Sequence, residues 1–541
     1  MKRKKWICLT ALVMALIMAI GCAAKDGANS ETVETVNQPS AGVSEGTGEP
    51  SSGMPDGMGQ PPAGAPGEMG EPPSGFPDGM GQPPSGMPDG MGQPPSGMPD
   101  GMGQPPSGMP DGMGQPPSGM PDGMGQPPSG MPGGSSADIS YAGAVEIVSE
   151  DSQQNQTYAS ETADQNALLI ATANMVAITD PTVTKTGDSN GGDSCNFYGL
   201  NAAVLCKDGA NVTITGGTVT SSASGANGVF CYGGNGGRNG AAGDGTSVTI
   251  RDTVITTTGS GSGGIMTTGG GTTYAYDLTV TTSGQSSAPI RTDRGGGLVV
   301  VDGGTYTSNG LGSPAIYSTA EIHVSNAALV SNLSEGVCIE GKNSITLTNC
   351  DLTANNTQRN GHATFLDTIM IYQSMSGDAD SGTSAFTMTG GSLTSKNGHM
   401  FHVTNTNAVI TLSGVKLTNE DAENVLLSVC ADGWSGAGNV ATFKAIAQEL
   451  FGKILVGSDS VLTLELTGGS SFTGSVDGKI TNASGETVSA EVGKVAVTLD
   501  ADSTWTLTGD SYITSFTGSA SNVISNGYKL YVNGTLLEGT R

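Results

Sequence analysis

The densest charge cluster in the β-rich part of the chain is Arg291-Thr292-Asp293-Arg294, one carboxylate set between two guanidiniums. Such a group can hold sugar hydroxyls or a ligand carboxylate through charge-assisted hydrogen bonds. Phe230 and Tyr317 occupy equivalent places in a repeat that also contains Arg291, and aromatic faces beside a cation suit stacking on sugar rings. These five residues, Phe230, Arg291, Asp293, Arg294 and Tyr317, are the candidate ligand-binding set. Metal and hydrolytic chemistry find less. The four histidines, His323, His362, His399 and His402, form no HExxH helix. His399 and His402 flank Met-Phe beside a strand, where residues three apart should face opposite ways. No cysteine spacing matches a CxxC zinc pair, and Asp378 and Asp380 sit in a Gly/Ser stretch that reads as a turn. No catalytic set, metal site or cofactor is expected.

The elements that would position these residues follow from composition and periodicity. The 541 residues include 86 glycines and only 13% charged residues, which suits strands joined by tight turns. From residue 137 onward an apolar pair two residues apart is followed by a turn, often Gly-Gly or Asn, and by another apolar residue five further on. Examples are Val212, Ile214 and Val219, then Val248, Ile250 and Ile255, then Ile345, Leu347 and Leu352. Many copies lie 23 to 26 residues apart, as in Val301, Val324 and Leu347. A unit this small cannot enclose a core alone, so copies must stack. A third strand is marked by a small residue before an apolar one, as in Ala203-Val204, Gly228-Val229, Gly264-Ile265, Pro289-Ile290, Ala315-Ile316 and Gly336-Val337.

Three stacked strands per coil predict an all-β fold, a right-handed parallel β-helix, over residues 137–541. Residues 446–541 should form atypical C-terminal coils, and about eleven coils would make a rod roughly 50 Å long. Cys206 and Cys231 hold the same place in consecutive coils, where they can form a disulfide or stack as buried thiols. One residue earlier in each coil, the side chains should point outward. That reading lines up Leu205, Phe230, Met266, Arg291, Tyr317, Cys338, Met370 and His402 as a stripe on one face, to be presented to a ligand or covered by a loop.

Residues 1–22 carry address information: Lys2, Arg3, Lys4 and Lys5 precede an apolar run from Trp6 to Ile20 that ends at Gly21-Cys22. The run is of signal-peptide length and short for a membrane span. Ala19-Ile20-Gly21-Cys22 resembles a bacterial lipobox, which implies a lipid on Cys22, export, and anchoring of the chain to the cell envelope. Residues 23–51 read as a linker. Within residues 52–136 the unit SGMPDGMGQPP recurs seven times between Ser52 and Pro128, one copy (Ala63 to Pro73) being degenerate. Three prolines and three glycines per unit preclude helix or ladder, so a disordered Pro/Gly/Met-rich stalk is expected, reaching on the order of 60 Å. The formal net charge of -28 repels phosphate backbones, so no nucleic-acid partner is expected.

The stacked pattern resembles the pectate-lyase-like superfamily of β-helices, and Ser503-Thr-Trp-Thr-Leu-Thr-Gly-Asp-Ser511 resembles the passenger domains of pertactin-like adhesins. The adhesin likeness implies a monomeric rod that binds polysaccharide, a host or cell-surface glycan, or a protein. The lyase likeness implies a calcium-dependent polysaccharide lyase, which would need several convergent carboxylates where this sequence has Asp293 between two arginines. A purely structural surface spacer is the third alternative. No membrane β-barrel sequence follows residue 541, so the lipid is expected to do the anchoring.

Overall fold

The computed structural model describes residues 139–541, apart from 190, 237–241 and 435–437. Cys22 and the repeat stalk lie outside the described residues. About half of the described residues are in strands and almost none in helix, and most of the strands form three long parallel sheets of 15, 14 and 10 strands. As far as residue 429 every third strand joins the same sheet, so each coil there contributes one strand to each face, the right-handed parallel β-helix.

Alternation of side chains along each strand explains why these residues stack this way. Val212, Ile214 and Val219 point inward and are almost fully buried, whereas Thr213 between the first two faces out. The rung above repeats the arrangement, with Val212 opposite Val248 and Ile214 opposite Ile250. Val301, Val324 and Leu347 form one vertical ladder, and Val204, Val229, Ile265, Ile290, Ile316 and Val337 form another. These ladders give one continuous core along the rod. The corner between the second and third strands needs left-handed backbone. Asp252, Asp277, Asn326 and Asn349 supply it with φ near 50°, and glycine does so at Gly216, Gly303 and Gly390.

Cys206 and Cys231 are rung neighbours in the core, and both are free thiols. Burial raises both thiols, that of Cys231 to about 12, so they pack as small hydrophobes. Trp505 lies fully buried and stacks on Phe472 of the neighbouring rung at 5.5 Å. Tyr512, which falls five residues after Leu507 at the place that is inward in other coils, is instead 40% exposed and stacks on Tyr531 in a small separate sheet. The third sheet ends at Lys416–Asn419, beyond which successive coils carry only two long strands. Because those shorter coils continue the first sheet to 15 strands, the rod is longer than eleven coils, about 65 Å at 4.8 Å per rung.

Candidate functional site

The outward stripe is real as a ladder. Leu205, Phe230, Met266, Arg291, Tyr317, Cys338, Met370 and His402 are successive rung partners on the outer face of the first sheet. A second outward row runs two residues further along each strand and includes Asp293, Glu340 and Tyr372. Most of the stripe, however, is covered.

At its N-terminal end the cover is the short helix Asp193–Tyr198, an insertion between coils. Phe197 and Tyr198 pack with Leu205, Phe230, Tyr232 and Met266 into a second apolar cluster. Phe230 has no exposed surface, so it is a packing residue there and not part of a ligand-binding face. The helix ends at Gly199 with φ 76°, where a Cβ would stand 2.5 Å from Leu205 and 3.0 Å from Phe230. Only glycine permits that backbone so close to the sheet. The Phe197 carbonyl accepts from Thr268 Oγ1 at 2.7 Å, and the Arg294 guanidinium lies 4.1 Å from the Phe197 ring centroid.

At the C-terminal end two segments, 355–366 and 430–434, cross the stripe. Trp434 from the second lies 4.8 Å from Tyr372 and 5.2 Å from His362. Beneath the loops, His399 and His402 both hydrogen-bond Ser428 Oγ through Nδ1 at 2.7 Å. The expectation that they face opposite ways fails because the inside–outside alternation breaks at Met400-Phe401. Met400 and Phe401 both enter the core, which returns the two imidazoles to one side.

Between the two covers the face is open, as a cleft of about 210 Å³ whose lining includes Arg291, Tyr317, Tyr372, Asn360, Pro314 and Ser286. Its floor is an ionic and hydrogen-bonded lattice. Arg291 pairs with Asp293 at 2.9 Å and also donates to Asn196 Oδ1 at 3.3 Å and the Ser286 carbonyl at 3.0 Å. Burial pushes the Asp293 carboxyl up to about 6 against the opposing pull of Arg291. Tyr317 and Tyr372 donate their hydroxyls to Glu340 Oε2 at 2.5 and 3.2 Å. Both phenols are pushed up by burial and by that carboxylate, so at neutral pH their oxygens remain hydrogen-bond acceptors toward the cleft. Arg294 turns away to Asp378 at 2.6 Å, which makes Asp378 an ion-pair partner rather than a turn residue alone, while Asp380 lies 3.9 Å from Lys342.

Of the candidate set, then, Arg291 and Tyr317 line the cleft, Asp293 supports Arg291 from behind, Arg294 braces the covering helix, and Phe230 is buried. Glu340 and Tyr372 were missed in the sequence, although extending the stripe by two residues per strand reaches both. Asn360 comes from a loop no periodicity marks. The carboxylates at this cleft are already engaged, Asp293 with Arg291, Asp378 with Arg294 and Glu340 with Tyr317 and Tyr372. Among the described residues no group of three or more His, Cys, Asp or Glu converges as a metal site. Two larger depressions exist, of about 630 Å³ behind Arg359 and about 450 Å³ over the glycines 295–297. Neither combines aromatic and charged side chains. No protein family, curated protein or solved structure matches the chain.

Proposed function

We propose that this is an exported surface protein, anchored through lipid on Cys22, whose β-helical rod binds polysaccharide in the Arg291–Tyr317–Tyr372 cleft. The carrying observation is the cleft itself, the one stretch of the outward stripe left open between the covering helix and the covering loops. Two aromatic side chains, a guanidinium and an amide converge there, the donor, acceptor and apolar mixture that sugar rings require. At about 210 Å³ it is smaller than drug-sized pockets of roughly 300–1,000 Å³, which suits one sugar ring or a chain end. The resemblance of residues 503–511 to the passenger domains of pertactin-like adhesins supports this reading, whereas a calcium-dependent lyase would need carboxylates other than Asp293 and Asp378, which are paired with Arg291 and Arg294.

The test is a glycan array with the full-length protein and with Arg291→Ala and Tyr317→Ala. Each variant should weaken binding by about 1–3 kcal/mol, or roughly 5- to 150-fold, with the rod's circular dichroism unchanged. Undiminished binding by both variants would remove the cleft as the site. Formation of unsaturated uronate products from an acidic polymer would favour the lyase instead.

A further inference from the structure

We propose that the two loops crossing the C-terminal end of the stripe form a proton-held clasp, closed while the acid–imidazole cluster beneath them keeps its protons and released as the pH rises above neutrality.

The clasp is defined by contacts. Asp432 in the second loop accepts from the Thr364 amide and hydroxyl in the first, at 2.7 and 2.6 Å through Oδ1. Its other oxygen, Oδ2, lies 3.4 Å from His402 Nε2, both side chains being fully enclosed. Phe365 covers the two imidazoles, with ring centroids 4.8 Å from His402 and 5.2 Å from His399. The first loop is pinned further by the bonds of Arg359 to Ser484 at 2.7 Å and of Ala483 to the Thr364 carbonyl at 3.0 Å. That same loop supplies Asn360 to the cleft, and Tyr372 of the cleft supports Trp434.

The charges underneath do not balance without protons. Facing the cluster are Glu335 ahead of the strand Val337–Glu340, Asp367 opening the next strand, His399 and His402 above it, and Asp432 in the loop. The thiols of Cys338 and Cys430 lie beside them, both pushed up by burial. Lys453, whose charge also acts on His399, is half-exposed and pairs with Glu423 at 3.2 Å. Both Asp367 oxygens are buried without a hydrogen-bond partner. Three buried carboxylates therefore face one imidazolium, and charges so enclosed are costly unless protonated or paired.

The directions agree. Burial pushes Asp367 up to about 7, with Glu335 and Asp432 adding to it and His402 opposing; burial also raises Glu335. For His402, burial favours the neutral ring, but the Asp432 and Asp367 carboxylates outweigh it and the net shift is upward. His399 is pushed down to about 3, by burial first and His402 second, and stays neutral. Asp367, Glu335 and His402 thus hold protons more tightly in the closed form. The stability they give is complete below their unfolded values and is lost as pH rises through the folded ones. For Asp367 that window runs from about 4 to about 7, and His402 extends it upward. Asp432 has the opposite sign: burial is outweighed by His402 and Thr364 and its value is lowered, so its contribution fails only in strong acid. The clasp is tightest in mildly acidic solution.

Trp434 reports the state of the clasp, since Trp505 is in the core and Trp6 belongs to the leader. In the full-length protein, acrylamide quenching of tryptophan emission should rise reversibly at least twofold between pH 5 and 9, with far-ultraviolet circular dichroism constant. Trp434→Phe should abolish the rise. Asp367→Asn, which mimics the protonated acid, should at least halve it, and His402→Gln should leave Trp434 quenchable throughout. Quenching that is flat from pH 5 to 9, or a transition unchanged in Asp367→Asn, overturns the proposal. No ligand enters the experiment, so its outcome is independent of whether the cleft binds sugar.

Discussion

Phe230→Ala separates packing from recognition on the stripe. The side chain is fully buried beneath Phe197 and Tyr198, between Leu205 below and Met266 above. Truncating a buried phenylalanine typically costs about 3–5 kcal/mol, part transfer and part cavity. Here the cost has a ceiling, because the cluster it belongs to is separate from the main core: once the lost energy exceeds what holds the six-residue helix Asp193–Tyr198, the helix undocks and the sheet beneath persists. Stacked coils unfold as coupled neighbours rather than as a single two-state unit, so a global melting curve would understate the event. Amide hydrogen exchange is the appropriate assay. Protection across residues 191–203 should fall by about 2–3 kcal/mol, while the core strands Val212 to Thr215 and Val248 to Arg251 change little. Glycan binding should weaken only through loss of the Asn196 contact to Arg291. A variant whose helix stays protected within 0.5 kcal/mol ~ the scatter of surface substitutions ~ but which loses binding tenfold would refute this reasoning and restore Phe230 as a contact residue.

Val301→Asp should cost on the order of 5 kcal/mol and leave the chain insoluble, because Val301 is stacked in the core between Ala275 and Val324. Val300→Asp, one residue away on the outward side, should stay within about 1 kcal/mol; equal damage from both in urea unfolding would contradict the alternation. Cys22→Ala should shift the full-length protein from the detergent phase to the aqueous phase of a Triton X-114 partition, whereas unchanged partitioning would count against lipid on that cysteine.

Much of the architecture was legible because it is local and repeated. An inward residue at every second position and a turn at a fixed offset leave a strand little choice, and stacking identical units fixes the rungs, so even the vertical order from Leu205 to His402 follows from the sequence. The physical reason is that each coil meets only its neighbours. What periodicity cannot carry is whatever breaks it. The helix Asp193–Tyr198 and the segments 355–366 and 430–434 are insertions whose destinations depend on contacts about two coils away, such as Thr268 with Phe197 or Asp432 with Thr364. Those insertions bury Phe230, leave Arg291 and Tyr317 open, and add Asn360 to the cleft. The burial of both Met400 and Phe401 likewise turns two histidines toward one serine, against the simple alternation. The sequence by itself determined the rod and its outward face; the tertiary structure alone decided which part of that face is open, since covering a surface is a long-range packing event with no period to read.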